Sequence, residues 1–384
     1  MRIATIAPSS VPSNTAHSIQ VMKVCSALAR GKGGVALWIP GEKSTSWNEV
    51  STYYGIDTEF DIRWIRSRQT MRRLDFTVSA LHAAKTWGAD LIYTWMVQAA
   101  VAGLWMGYPV VLELHDRPTG RFGPLWLRTF AGQTGQKRIL FITSALRRVV
   151  DEEFNIRFPD YQMKIAPNGC DLEHHLANPS AKDARAELGL RDQLTAVYSG
   201  HFYSGRGTDI LLALARAFPQ VQFIWVGGRP DHVSLLRNQL AEQSVDNVVL
   251  TGFVENQNLP MYQAAADILL MPYGRNIAGS GGGNSADICS PMKMFDYLAA
   301  GRAILSSDLP VIHEVLNSSN SMFCPPDDPD AWIMAFGDLL QNPWKISQLG
   351  EQARIDANLY TWDRRVDISL DGFPPDGTNG GLNE

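Results

Sequence analysis

The segment that opens Ser290-Pro291-Met292-Lys293 and runs through Asp296 to Ala299-Ala300-Gly301 carries several residues able to do chemistry. Ser290 suits an N-cap, Pro291 the first helical position and Gly301 the C-terminal cap, so the spacing predicts a helix of about ten residues. The N-terminus of such a helix offers free N–H groups and a positive dipole end, a ready place for a phosphate. Lys293 adds a full cation in the first turn, where the dipole alone disfavours one; an anion nearby would explain it. Asp296 falls ~9 Å along the axis from Ser290, about the distance from a diphosphate to the hydroxyls of a ribose. A carboxylate can accept both hydrogen bonds of a vicinal diol. A plain Lys293–Asp296 surface pair at i,i+3 fits the same spacing.

A second cluster reads Gly200-His201-Phe202-Tyr203-Ser204-Gly205-Arg206-Gly207. Its glycines permit a tight turn and close backbone approach, and His201 and Arg206 can face one anion. Arg206 keeps its charge at any working pH, whereas a His titrates near ~6.5, so anion affinity is expected to fall between roughly pH 6 and 8 if His201 contributes. The run Gly279-Ser280-Gly281-Gly282-Gly283-Asn284 has no side chains to pack and reads as a loop that could close over a ligand. Nearer the start, Asn14, His17 and Ser18 follow a short apolar run and can hydrogen-bond a sugar or phosphate, or cap the next helix. His115-Asp116 ends the run VVLELHD, and Trp95 ends LIYTW, where it can stack on a sugar ring or sit in the core. No G-x-S-x-G nucleophile elbow accompanies the His-Asp pair.

These residues have to be held by strand ends. Short apolar runs at 2–8, 35–40, 62–67, 91–95, 110–116, 139–144 and 164–169 alternate with amphipathic stretches. They are apolar nearly throughout, as strands covered on both faces of a parallel sheet are. The polar stretch 174–193 interrupts the series, and strand-like runs resume at 195–200, 221–228, 247–253, 268–273 and 303–308. The expected fold class is α/β, with two Rossmann-like doubly wound domains facing a cleft, where ligands meet the carboxyl ends of the strands. The expected division is 1–175, a linker at 176–193, 194–360, and a C-terminal segment 361–384 with a disordered tail.

Composition is that of an ordinary globular chain of 384 residues, with 45% hydrophobic and 19% charged residues and a net charge of -5. The acidic balance gives no footprint for nucleic acid. Arg72-Arg73 and Arg147-Arg148 allow at most weak peripheral membrane association. Cys25, Cys170, Cys289 and Cys324 show no zinc spacing and read as separate thiols. No window approaches a membrane span and the N-terminus lacks the form of a signal peptide, so a cytoplasmic location is expected.

The chain resembles GT-B-fold retaining glycosyltransferases of family GT4, the glycosyl transferases group 1. The resemblance rests on Pro167-Asn168-Gly169 with Asp171, the glycine-rich turn with Arg206, the helix ending Ala299-Ala300-Gly301 as a variant of E-x7-E, and Ser307-Asp308-Leu309-Pro310 followed by Glu314. It implies that His201 and Arg206 stand where the family binds the donor diphosphate. Gly205, Ser290, Pro291 and Met292 would lie along the donor, and Asp296 would bind the ribose. The backbone of Val254 would read the base, and His115 would lie near the transferred sugar. Arg206, Lys293 and His115 are thus the expected catalytic groups, with Asn14, His17, Ser18 and Trp95 on the acceptor side. The first Glu of the motif falls at Ile288, so this is an SPxK variant in which Lys293 serves the phosphates, and Asp287 is the adjacent carboxylate.

The implied activity is metal-independent, retaining transfer of a sugar from a nucleotide-diphosphate donor to a glycan, lipid-linked or small-molecule acceptor, without a cofactor. Polysaccharide or glycoconjugate synthesis at the cell surface is the family-level setting. Asp328-Pro329-Asp330 matches the D-x-D string of metal-dependent transferases, but its place before a helix-like stretch marks a helix cap. Two other readings stay open: a non-catalytic nucleotide-sugar binder, given Ile288, and a nucleotide-sugar 2-epimerase, whose Gly-Thr-Arg-Pro-Glu-like segment Ala7-Pro8-Ser9-Ser10 does not match.

Overall fold

The structure is a computed structural model that describes residues 1–42, 45–67, 73–277 and 284–374. Two compact units emerge, one of Met1–Pro167 together with the segment from Trp362, the other of Asn168–Thr361.

The first unit is built on strands β1 (Arg2–Ile6), β2 (Gly34–Pro40), β3 (Asp61–Ile65), β4 (Leu91–Thr94), β5 (Val110–Leu114), β6 (Lys137–Phe141) and β7 (Met163–Ile165). They pair in the order β3-β2-β1-β4-β5-β6-β7, and every pair is parallel. β4 and β5 are buried along their whole length, which is why they read as unbroken apolar runs. The chain order reverses between β1 and β4, so the loops that leave these two strands diverge and open a crevice at their ends.

The second unit repeats the design with β8 (Thr195–Ser199), β9 (Gln222–Val226), β10 (Val248–Gly252), β11 (Ile268–Met271), β12 (Ala303–Ser307) and β13 (Ser321–Cys324). Their order is β10-β9-β8-β11-β12-β13, with the reversal between β8 and β11. Trp225, Phe223, Trp332 and Phe336 fill the core beside this sheet. The edge strand β13 was not among the sequence-based expectations; it is four residues long and preceded by the polar run Asn317-Ser318-Ser319-Asn320.

The units divide at Pro167/Asn168, ahead of the expected boundary at 175. Residues 176–193 are no free linker. Helix Ala181–Glu187 packs Ala184 against Ala264 and Ala265, and Arg185 donates to Asp267 at 2.7 Å. The segment after Thr361 forms helix Trp362–Leu370 and belongs to the first unit. Residues 279–283 of the glycine-rich run, Arg72 and the tail from 375 lie outside the described residues. Among the described residues no helix is long and apolar enough to cross a membrane. The four cysteines carry no disulfide. Arg147 is paired with Asp151 and Asp160, and Arg73 donates to the Pro8 carbonyl at 2.7 Å.

Candidate functional site

In the second unit two cations converge from the two strands that flank the reversal of order. Arg206 sits in the turn after β8, and Lys293 in the first turn of helix Met292–Ala300, which follows β11. Both rest on tyrosine rings. The Arg206 guanidinium lies 4.6 Å from the Tyr203 centroid and 5.0 Å from that of Tyr273. The Lys293 ammonium lies 3.9 Å from the Tyr198 centroid and 5.3 Å from Tyr273. Such contacts hold a cation without neutralising it. Arg206 also donates to the Tyr203 hydroxyl. Among the described residues neither cation has a carboxylate within ion-pair distance, and Arg206 Nε is buried without a partner. Burial, and then the charge of Arg206, lower the Lys293 ammonium well below its ordinary value. Two like charges held together with no acid between them form a site for an anion with at least two charges.

Backbone geometry makes this possible. Gly207 has φ +71, and a Cβ there would meet the Pro272 carbonyl oxygen at 1.9 Å. At Gly205 a Cβ would meet the Asn276 oxygen at 2.0 Å. The turn after β8 is therefore pressed against the segment after β11, and Arg206 is delivered beside Lys293 because its two neighbours lack side chains. His201, half-buried, stacks on Tyr203 with centroids 5.7 Å apart.

The expected cap at Ser290 is not formed. The helix begins at Met292, Pro291 takes the cap position, and no side chain caps it. Ser290 instead accepts a hydrogen bond from the Asn168 backbone N–H at 3.3 Å, while Asn168 Nδ2 donates to its carbonyl at 2.7 Å. Asn168, in the Pro167-Asn168-Gly169 motif, thereby fixes the approach to the helix and leaves the N-terminal N–H groups of Met292 and Lys293 without a side-chain acceptor. Gly301 closes the helix in the left-handed conformation as expected. Asp296 is half-buried on this helix, close enough to Cys170 to help burial raise that thiol. Ile288 is 1% exposed, and Asp287 points outward. Val254 borders a cavity of about 430 Å³ that also touches Phe253, Glu255, Asn258, Met261 and Tyr262 but neither Arg206 nor Lys293. Asp328 caps helix Pro329–Gln341 by accepting from Ala331 N at 3.1 Å. No group of three or more metal-ligating side chains gathers among the described residues.

In the first unit His17, Trp95 and His115 come together. The His17 ring meets those of His115 and Trp95 edge-on, with centroids 5.6 and 6.3 Å apart. Burial, and then the neighbouring His115, push His17 down to about 3, so it is neutral throughout the physiological range. His17 Nε2 and Trp95 Nε1 are buried without partners. Asn14 is exposed. Ser18 is fully buried, with its hydroxyl bound to the Ser10 carbonyl at 2.9 Å and the Tyr54 hydroxyl at 2.7 Å, so it faces no ligand. Thr15, rather than Asn14 or Ser18, caps helix Ala16–Lys32.

Sequence reasoning missed two groups. One is the set of tyrosines under the cations, for which the signal is that Tyr198 and Tyr273 each stand near the end of a strand. Glu113 was passed over inside an apolar run, where a single acid implies a buried partner. That partner is Arg365, from a helix whose pattern in sequence is weak.

The family model described as "Glycosyl transferases group 1" matches residues 193–342, most of the second unit. The alpha-galactosylglucosyldiacylglycerol synthase of Streptococcus pneumoniae is 23% identical over 223 residues, 56% of this chain and 55% of that protein. The GDP-mannose-dependent alpha-(1-6)-phosphatidylinositol monomannoside mannosyltransferase of Mycolicibacterium smegmatis is 25% identical over 291 residues, 68% of this chain and 73% of that protein. The chain thus matches a little over half of the first relative's length and about three-quarters of the second's. Among solved structures, Anabaena Alr3699/HepE in complex with UDP superposes with a TM-score of 0.74 at 16% identity, covering 97% of this chain and 100% of that one. Residues 193–342 therefore carry a glycosyl transferases group 1 domain, on the two-sheet α/β fold of GT-B glycosyltransferases.

Proposed function

We propose that the chain is a glycosyltransferase that takes a hexosyl group from a nucleotide-diphosphate sugar and passes it, with retention, to a glycan or lipid-linked acceptor. The observation that carries this reading is the pair Arg206 and Lys293, two cations on a tyrosine floor with no acid between them. A diphosphate supplies the missing charge. As the sugar leaves, charge builds on that diphosphate, and fixed cations stabilise it where other enzymes use a metal, so no metal or cofactor is required. Met292 and Lys293 add helix N-terminal N–H groups.

The base would enter the cavity at Val254. β10 lies two strands from β8, about 10 Å at the usual strand spacing, which suits the separation of a base from its diphosphate. Asp296 takes the ribose, and the first unit takes the acceptor. The relatives named for galactosylglucosyldiacylglycerol and phosphatidylinositol monomannoside, and the UDP complex of the Anabaena protein, support a nucleotide donor and a glycolipid product. Among the described residues no carboxylate lies within ion-pair distance of Arg206 or Lys293 to serve as a nucleophile on the sugar, which favours front-face displacement assisted by the departing phosphate.

Calorimetry with UDP, GDP, ADP, CMP and dTDP, in the absence of metal, tests the reading. One diphosphate is expected to bind, to be lost in Asp296→Ala and to bind more weakly in Arg206→Met. Binding without turnover against any acceptor would support a non-catalytic nucleotide-sugar binder, which the buried Ile288 favours. Binding of none would refute both readings.

A further inference from the structure

Glu113 is the centre of a closed network in the first unit. Its side chain has no exposed surface. It accepts from Gln20 Nε2 at 2.6 Å and from the Tyr93 hydroxyl at 2.6 Å, and from Arg365 and His115 as well. Three of these donors, Gln20, His115 and Arg365, meet Oε1, and the Tyr93 hydroxyl meets Oε2, so both carboxylate oxygens are engaged by protein donors. Arg365, only 2% exposed in its side chain, reaches it from helix Trp362–Leu370 and also donates to the Pro167 carbonyl at 3.0 Å. Burial alone would push the Glu113 carboxyl up, but Arg365, His115 and Tyr93 outweigh it and hold it well below the usual range. The carboxylate is ionised and can only accept, so the ring nitrogen of His115 that meets it, Nε2, has to carry a proton. When the ring is neutral, Nδ1 is left with a lone pair. The His115 ring meets that of His17 edge-on, His17 in turn meets Trp95, and among the described residues His17 Nε2 and Trp95 Nε1 are buried without a hydrogen-bond partner.

We propose that Glu113, clamped by Arg365 of the C-terminal helix, is the positioning residue that fixes His115 as its Nε2–H tautomer, so that Nδ1 accepts a hydrogen bond from a hydroxyl of a bound sugar. The sugar as ligand rests on the glycosyltransferase reading; the tautomer does not. The carboxylate is fully buried among protein donors, so it makes no bond to the ligand. Its work is to hold one imidazole in one orientation, and the cation from the C-terminal helix keeps it charged for that work.

The test pairs a spectroscopic readout with a kinetic one. Histidine side chains are labelled with ¹⁵N, and His115 is assigned by the signal lost in His115→Asn. At a pH where the ring is neutral, the wild type is expected to show Nε2–H alone; Nδ1–H would overturn the proposal without any variant being made. Glu113→Gln by itself strands the Arg365 charge, so the informative variant is Glu113→Gln with Arg365→Met, which removes both charges and leaves an amide able to donate or accept. It is expected to keep the wild-type melting temperature and diphosphate affinity, to show mixed tautomers at His115, and to lose about 100-fold in kcat. A double variant that keeps both the single tautomer and kcat would show a purely structural pair and overturn the proposal. A wild type that turns over no sugar nucleotide would count against the enzyme reading instead, and the tautomer arm would still decide this inference.

Discussion

The two charged centres of this protein are opposites. In the second unit Arg206 and Lys293 lie together with no acid beside them among the described residues, on rings that hold them without neutralising them. In the first unit Glu113 and Arg365 neutralise each other, and the buried carboxylate is met by four protein donors. Charge left unbalanced in a folded protein costs stability, and a ligand can recover it. Charge balanced internally holds neighbours in place and is closed to ligands. The contrast separates groups that bind from groups that position.

Substitution should therefore move stability in different ways in the two places. The largest effect is expected at Glu113. Glu113→Gln leaves the Arg365 guanidinium buried and unpaired, at a cost of about 3–5 kcal/mol, read as a lower urea midpoint; equal stability would mean that water reaches the pair. Arg206→Met should weaken diphosphate binding by about 10- to 100-fold, as expected for one charge-assisted contact, measured by calorimetry. Lys293→Met should weaken it as well, yet should not lower the melting temperature, because it removes a cation that burial and Arg206 already disfavour. A marked drop in melting temperature would break the comparison.

Lys293 also sets a pH dependence. Its ammonium is lowered in the free protein, and a bound diphosphate raises it again. Binding should thus take up protons and weaken as pH rises from the depressed free value toward the value in the complex. Calorimetry in buffers of different ionisation heat reads the uptake, and His201→Gln separates any contribution near neutral pH. The smallest effect is expected at Asn168→Ala, which releases Ser290 and should cost about 1 kcal/mol with only a few-fold loss of diphosphate affinity.

Much of the fold was legible because buried parallel strands are written as apolar runs; β4, β5 and β11 fall where those runs stand. The convergence of Arg206 and Lys293 was legible too, since each follows a strand end beside a glycine or a helix start. Features that depend on distant partners were not. Ser290 looked like a cap because nothing local says that Asn168, 122 residues away, binds it instead. The stretch 176–193 looked like a linker because its small and charged residues hide the packing of Ala184 and the Arg185–Asp267 pair. Arg365 was invisible because its acceptor lies 252 residues earlier.

That last separation bears on how the protein is made. All seven strands of the first sheet are synthesised before the second unit begins, yet the cation that balances Glu113 comes only after that unit is finished. A growing chain thus carries a sheet with one uncompensated carboxylate through the translation of just over half its length. The first unit can reach its final packing only when helix Trp362–Leu370 docks, after the second unit has left the ribosome. A chain stopped short of Arg365 would retain the whole cation pair of the second unit and leave the histidine centre of the first without its anchor.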